Sequence, residues 1–206
     1  MFVYLNVKNI QMKKVHYSSG LFITVFIAFH LLNHAFAFVS LEKHLEIMKI
    51  FRVVYRNIIV ETLLLMAVAV QVFSGIRLVL QTRKTAVSLI DKLHIYSGLY
   101  LAMFLLIHVS AVLSARFIFH IDSNSYFGAA TLNHYPEIYL FVSYYFCAIL
   151  SFFTHIGCIH YKKTNSKSQT YAIIGIGLIF AIALIIALTN NFNGFEISDE
   201  YNLLIK

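Results

Sequence analysis

Two stretches of the chain share one histidine pattern. His16-Tyr17-Ser18-Ser19-Gly20 is followed after nine residues by His30, and His94-Ile95-Tyr96-Ser97-Gly98 after nine residues by His108. Both read H-x-x-S-G-x9-H. Two imidazoles at matching places on two helices are what bis-histidine haem ligation requires, one axial nitrogen on each face of the iron with the porphyrin edge-on between the helices. Small neighbours leave room for such a macrocycle: Ala28 near His30, and Ser110 and Ala111 after His108. The other reading of the repeat is an old duplication whose histidines now serve only interhelical hydrogen bonds.

The elements that carry these residues follow from composition. Of 206 residues, 60% are hydrophobic and only 12% charged, where a soluble domain is about a quarter charged. This excludes disorder, a collagen-like chain and a disulfide scaffold, and it points to one domain with lipid as solvent. The net charge of +7 comes from short clusters between apolar runs, a membrane pattern and not a nucleic-acid surface. Five stretches are long enough to cross a bilayer, roughly Ser19–Val39, Ile58–Leu80, Ile95–Ile118, Glu137–Tyr161 and Thr170–Thr189. They are too long for membrane strands and lack period-2 alternation, so an all-α integral membrane protein with five transmembrane helices is expected. Four of these helices would form the histidine-bearing bundle and the fifth, which carries no ionisable group, would pack beside it.

The positive-inside rule gives the orientation. Ten Lys and Arg fall on the side of the N-terminus, the second-to-third loop and the fourth-to-fifth loop, against six on the other side. The N-terminus is expected in the cytoplasm and the C-terminus outside, in a cytoplasmic (inner) membrane. Lys13-Lys14 before an apolar run and Ala35-Phe36-Ala37 resemble a signal peptide with its cleavage site, but the run is long and carries two histidines, so a retained helix is expected. Leu41–Asn57 has Leu41, Leu45, Met48, Phe51 (or Ile50) and Val54 at helical spacing with charges between them, the pattern of a helix lying on the membrane surface, the alternative being a short soluble helix packed on the loops.

The remaining polar groups are fewer. His16 and His94 adjoin Lys14 and Lys92 and belong at the interface. Fourteen residues, about 21 Å of helix, separate each from His30 or His108, so two stacked haems between the first and third spans are geometrically allowed. His155, flanked by Thr154 and Gly157, is a candidate ligand from the inner half, whereas His160 falls at the headgroups. The second span has no histidine; Gln71 stands at mid-span, where an amide suits a hydrogen bond better than iron. His34, one turn after His30, would orient it or donate to a propionate. Arg77 would snorkel or pair with a propionate, and Glu61 would sit at the interface or pair with a loop arginine. Cys147 and Cys158 are eleven apart on one span and cannot join; they read as packing residues.

These residues resemble the membrane-anchor cytochrome b subunits of succinate dehydrogenase and fumarate reductase, in their five-helix form, over roughly residues 14–163. His30 and His108 match the ligands on the first and third helices of that family, and His155 resembles the fourth-helix ligand. Gln71-Val72-Phe73-Ser74-Gly75-Ile76-Arg77 is similar to the family's H-x-x-x-G-I-R segment, with Gln71 in place of the histidine. His94-Ile95-Tyr96-Ser97-Gly98 resembles the H-R-x-S-G start of a quinone-proximal helix, without the arginine. The resemblance implies haem b, one group or two, held by His30 and His108, with His155 and Gln71 at the second position. It also implies quinone near His94, Ser97 and Arg77, and flavoprotein and iron–sulfur subunits on the cytoplasmic side. The chain itself has no dinucleotide fingerprint and no iron–sulfur cysteine cluster, so electrons would come from a partner. A haem-free anchor or assembly scaffold is the alternative of a different class, and a histidine-lined proton path a third.

Overall fold

A computed structural model describes residues 2–196 and Tyr201. Lys206, one of the six Lys and Arg counted on the far side, lies outside the described residues. Among the described residues, five helices are long and apolar enough to cross a membrane. They are α1 (Phe2–Ala35, continued by a 3-10 turn at Phe36–Phe38), α3 (Ile58–Thr82), α4 (Leu89–Phe117), α6 (Ile138–Thr164) and α7 (Lys167–Leu188). Between them lie α2 (Leu41–Tyr55) and α5 (Ser125–Leu132).

Short polar side chains start most of these helices. Ser40, Asn57, Ser88, Asn124 and Ser166 each accept a hydrogen bond from a first-turn N–H of the following helix, satisfying donors that lipid cannot. These caps explain where the expected spans were short. The Ser88 cap, not the apolar run, starts α4, so that helix begins at Leu89 rather than Ile95. The helix α1 runs back to Phe2 through Lys13 and Lys14, because helix continues past the apolar stretch. After α6, Asn165 adopts a left-handed conformation (φ 55°) that ends the helix and lets α7 begin two residues later.

Each spanning helix packs on its neighbour: α1 on α3, α3 on α4, α4 on α6 and α6 on α7. The helices α1 and α4, which carry the repeated pattern, pack mainly on other helices and not on each other. One end of the bundle holds the α3–α4 and α6–α7 connections and is rich in Lys and Arg; it is called the basic end here. The other is closed by α2 and α5 and is called the capped end. The buried core is concentrated toward the capped end, where Ala37, Leu41, Ala129, Leu132, Ile149 and Leu188 meet.

The helix α2 forms as expected but sits differently. Its buried stripe is Leu41, His44 and Met48, while Ile50, Val53 and Val54 are exposed. One face holds the bundle and an adjacent apolar face is left for the bilayer interface, so Ile50 and Val54 do not belong to the packed stripe. The loop before α6, whose fold could not be read in advance, contains α5. It is tied to α2 by Arg52, which bonds Asp122 at 2.9 Å and the Ser123 carbonyl at 2.7 Å, and by Arg56, 3.1 Å from Asp122. Glu61 pairs with Arg116 and joins α3 to α4, each side chain about four-fifths buried.

Candidate functional site: two histidine clusters at opposite ends of the bundle

The capped-end cluster is built on the space between α1 and α4. The rings of His30 and His108 meet edge to face, with centroids 6.2 Å apart and planes inclined at 66°. Each is backed by a phenylalanine one turn earlier on its own helix. Phe26 stacks on His30 at 5.7 Å and Phe104 on His108 at 5.0 Å. These phenylalanines occupy the same place in the two repeats, ten residues after His16 and His94. That match was present in the sequence, but within an apolar span a phenylalanine reads as one more lipid-facing residue. Tyr145 of α6 meets His108 edge-on.

Two further imidazoles extend the cluster outward. His34 Nε2 lies 3.1 Å from His30 Nε2, within hydrogen-bond distance. His44 of α2 lies 4.8 Å, ring to ring, from His34 and is 1% exposed. Sequence reasoning missed His44, because on a surface helix a histidine reads as part of the polar face. All four histidines line one cavity of about 300 Å³, walled in the middle of the bundle by side chains such as Ile23, Ile27, Leu65 and Leu101.

Burial lowers the pKa of His44 from 6.5 to about 4. At neutral pH both folded and unfolded chains carry it uncharged. As pH falls through 6.5 the unfolded chain takes up a proton that the folded site refuses, so stability is lost between about 6.5 and 4, by about 3 kcal/mol at most. Melting in detergent at about pH 7.5 and about pH 5 should show a larger acid-induced drop for the natural protein than for His44→Phe. Equal drops would mean that His44 is not buried as described.

The basic-end cluster is differently built, because its polar groups satisfy one another. Gln71 Oε1 accepts from Ser19 at 2.6 Å, and Gln71 Nε2 donates to His16 Nε2 at 3.3 Å. His16 Nδ1 then donates to Ser74 Oγ at 2.9 Å, while the Ser74 hydroxyl donates to the Val70 carbonyl. This assigns His16 as a neutral imidazole protonated on Nδ1. In the second repeat, His155 Nδ1 donates to the His94 carbonyl at 3.2 Å beside Ser97 Oγ at 3.3 Å. The His94 and His155 rings stack at 4.4 Å, and Lys162 Nζ donates to His94 Nδ1 at 3.1 Å.

Glycines make these approaches feasible. A Cβ on Gly20 would meet Gln71 at 3.0 Å, and one on Gly98 would meet His155 at 3.0 Å. Gln71 therefore stands to the first repeat as His155 stands to the second, one holding an amide where the other holds an imidazole. The structure brings together His94, Ser97 and His155, and separately His16, Ser19, Gln71 and Ser74. It leaves Arg77 exposed, with no hydrogen bond or ion pair among the described residues. His160 bonds Gln169 near the basic-end surface, as expected of a headgroup residue. Cys147 and Cys158 are free thiols.

Among the described residues no three His, Cys, Asp or Glu side chains converge on a metal-ion site. A haem asks less of the protein, two axial ligands and a slot for the ring. The capped-end cavity fits that demand, with one imidazole on each of two helices held apart, apolar walls, and buried polar atoms that lack partners. The basic-end cluster fits it less well, since Gln71 has both amide atoms engaged. No family model, no curated protein and no solved structure matches the chain.

Proposed function

We propose that the protein is a membrane-embedded b-type cytochrome that passes electrons between a partner redox protein and quinone in the bilayer, in the manner of a succinate dehydrogenase or fumarate reductase anchor subunit. The observation that carries the reading is the His30–His108 pair across the cavity between α1 and α4. His30 and His108 would hold the haem iron, and the apolar walls of the cavity would take the ring. A haem bound there supplies a one-electron redox centre.

The chain's own residues do the rest. His30 and His108 would hold the haem, and Phe26 and Phe104 stack against their rings. His34 Nε2 lies within hydrogen-bond distance of His30 Nε2, so it would compete with ligation through that nitrogen. The apolar walls keep water away, which sets the potential together with the axial ligands. Gln71, locked by Ser19 and His16, supports one haem per chain, with His155 left as a hydrogen-bonding residue. With the basic end in the cytoplasm, as the Lys and Arg balance favours, the haem lies in the outer half of the membrane. His94, Ser97 and Arg77 at the other end remain the groups to test for quinone, and flavoprotein and iron–sulfur subunits would dock on that basic face.

The test is a dithionite-reduced minus oxidised spectrum of purified protein with haem quantified per chain. A b-type α-band at one haem per chain is expected. No haem in a folded preparation made with ample haem supply would leave the second reading, a haem-free anchor. That reading draws on the basic-end cluster, where histidines act as interhelical hydrogen-bond partners.

A further inference from the structure

The cavity between α1 and α4 has two unlike ends. Toward the middle of the bundle its walls are aliphatic, with Ile23, Ile27, Leu65 and Val68. Toward the capped end they are polar, and that polarity is unsatisfied. Asn33 Oδ1, His34 Nδ1, both nitrogens of His44, Arg52 Nε and Ser125 Oγ are buried without a hydrogen-bond partner. All five residues line this one cavity, and the other such atom among the described residues, Asn133 Oδ1, lies elsewhere. Each orphaned buried polar atom costs about 1–3 kcal/mol, so their convergence on one wall points to a ligand group that answers them.

The charge there is known as well. Arg52, Arg56 and Arg116 line the cavity, and they face two carboxylates, Asp122 and Glu61. Three guanidiniums against two acids leave room for an anion. Arg52 spends both terminal nitrogens on Asp122 and the Ser123 carbonyl, which leaves its Nε–H without an acceptor. Neutral His44 carries one N–H to donate, Ser125 a hydroxyl, and Asn33 an amide that turns either end toward a ligand.

We propose that this wall is an anion subsite for the carboxylates of the bound tetrapyrrole, formed by Arg52, His44, Ser125 and Asn33. It rests on the haem reading above and adds a direction to it. The macrocycle sits with its acidic edge toward α2 and α5 and its apolar edge toward the middle of the bundle. Three of the four residues come from elements outside the two repeats, two from α2 and one from α5, while Asn33 is on α1. The repeats supply the axial pair, and the capping helices choose which way the ring faces.

The experiment compares ferric mesohaem with its dimethyl ester, which keeps the ring and iron but neutralises both acids. Each is titrated into full-length, haem-depleted protein in detergent, with binding read from the low-spin bis-imidazole spectrum. The ester should bind about 10- to 100-fold more weakly than the acid, the range for lost hydrogen bonds to a charged group. In Arg52→Gln the gap should narrow to roughly threefold. Arg52 also ties α2 to the α4–α5 loop, so Ser125→Ala, which removes no hydrogen bond seen in the structure, serves as the second variant and should narrow the gap in part. Equal binding of acid and ester to the natural protein would overturn the subsite while leaving haem binding intact. A gap that persists unchanged in both variants would place the carboxylates elsewhere and overturn it too. If neither compound gives a low-spin spectrum, the haem reading itself fails and the subsite with it.

Discussion

On the haem reading proposed above, His30→Ala and His108→Ala should each abolish the low-spin b-type spectrum and lower retained haem by more than tenfold, since even outer partners of a metal site are worth about 10–100-fold. The two substitutions should then be equally severe, because each would remove one of the two residues that would hold the iron. His160→Ala should leave the spectrum unchanged, as that ring bonds only Gln169 near the surface. His34→Leu should keep haem bound, since it frees His30 Nε2 from the neighbouring His34 nitrogen. His30→Gly with added imidazole gives a sharper check, because a ligand role is restored by the free base and a packing role is not. Mild and unequal effects of the two alanine substitutions would favour the haem-free anchor.

The second large effect concerns the join between α6 and α7. A Cβ on Gly177 would overlap Phe153 Cβ and Cγ. Those atoms sit next to the α6 backbone and cannot swing aside, so the helices themselves must separate. Gly177→Ala should therefore destabilise the bundle by about 1–3 kcal/mol, the usual range for an overpacked site. Gly175, two residues earlier on the same helix, has nothing within 4 Å of a built Cβ. Gly175→Ala should be neutral or slightly stabilising, given the helix preference of alanine. Thermal unfolding of the two variants in one detergent makes the comparison, and equal midpoints would contradict the close approach of α6 and α7. In lipid, small residues that let backbones approach are a main source of helix association.

Much of this arrangement was legible before any coordinates. The spans announce themselves because lipid admits few alternatives to apolar helix. The repeated H-x-x-S-G-x9-H points to α1 and α4 because two parallel helices place like residues at like depth. Gln71 could be paired with His155 only loosely; their equivalence is visible in the glycines against which each side chain lies. What stayed hidden depends on how the connections fold back. His44, Arg52 and Ser125 are separated by up to 81 positions and meet only because α2 lies over the cavity and α5 comes up against it. Nothing periodic marks such a meeting. Arg116 and Glu61 show the same limit, since each could be read as interfacial and only the packing of α3 on α4 makes them partners.

The space between α1 and α4 has a consequence for the fate of the newly made chain. At about 24 cal/mol per Å³, a void of about 300 Å³ would cost on the order of 7 kcal/mol, against a total stability of about 5–15 kcal/mol for a typical domain. If the cavity takes the haem proposed above, binding offsets that cost, and the chain made without haem is the less stable form. On that reading cellular abundance of the protein should follow haem supply at constant transcript level, and starvation for haem should shorten its half-life before it alters any activity.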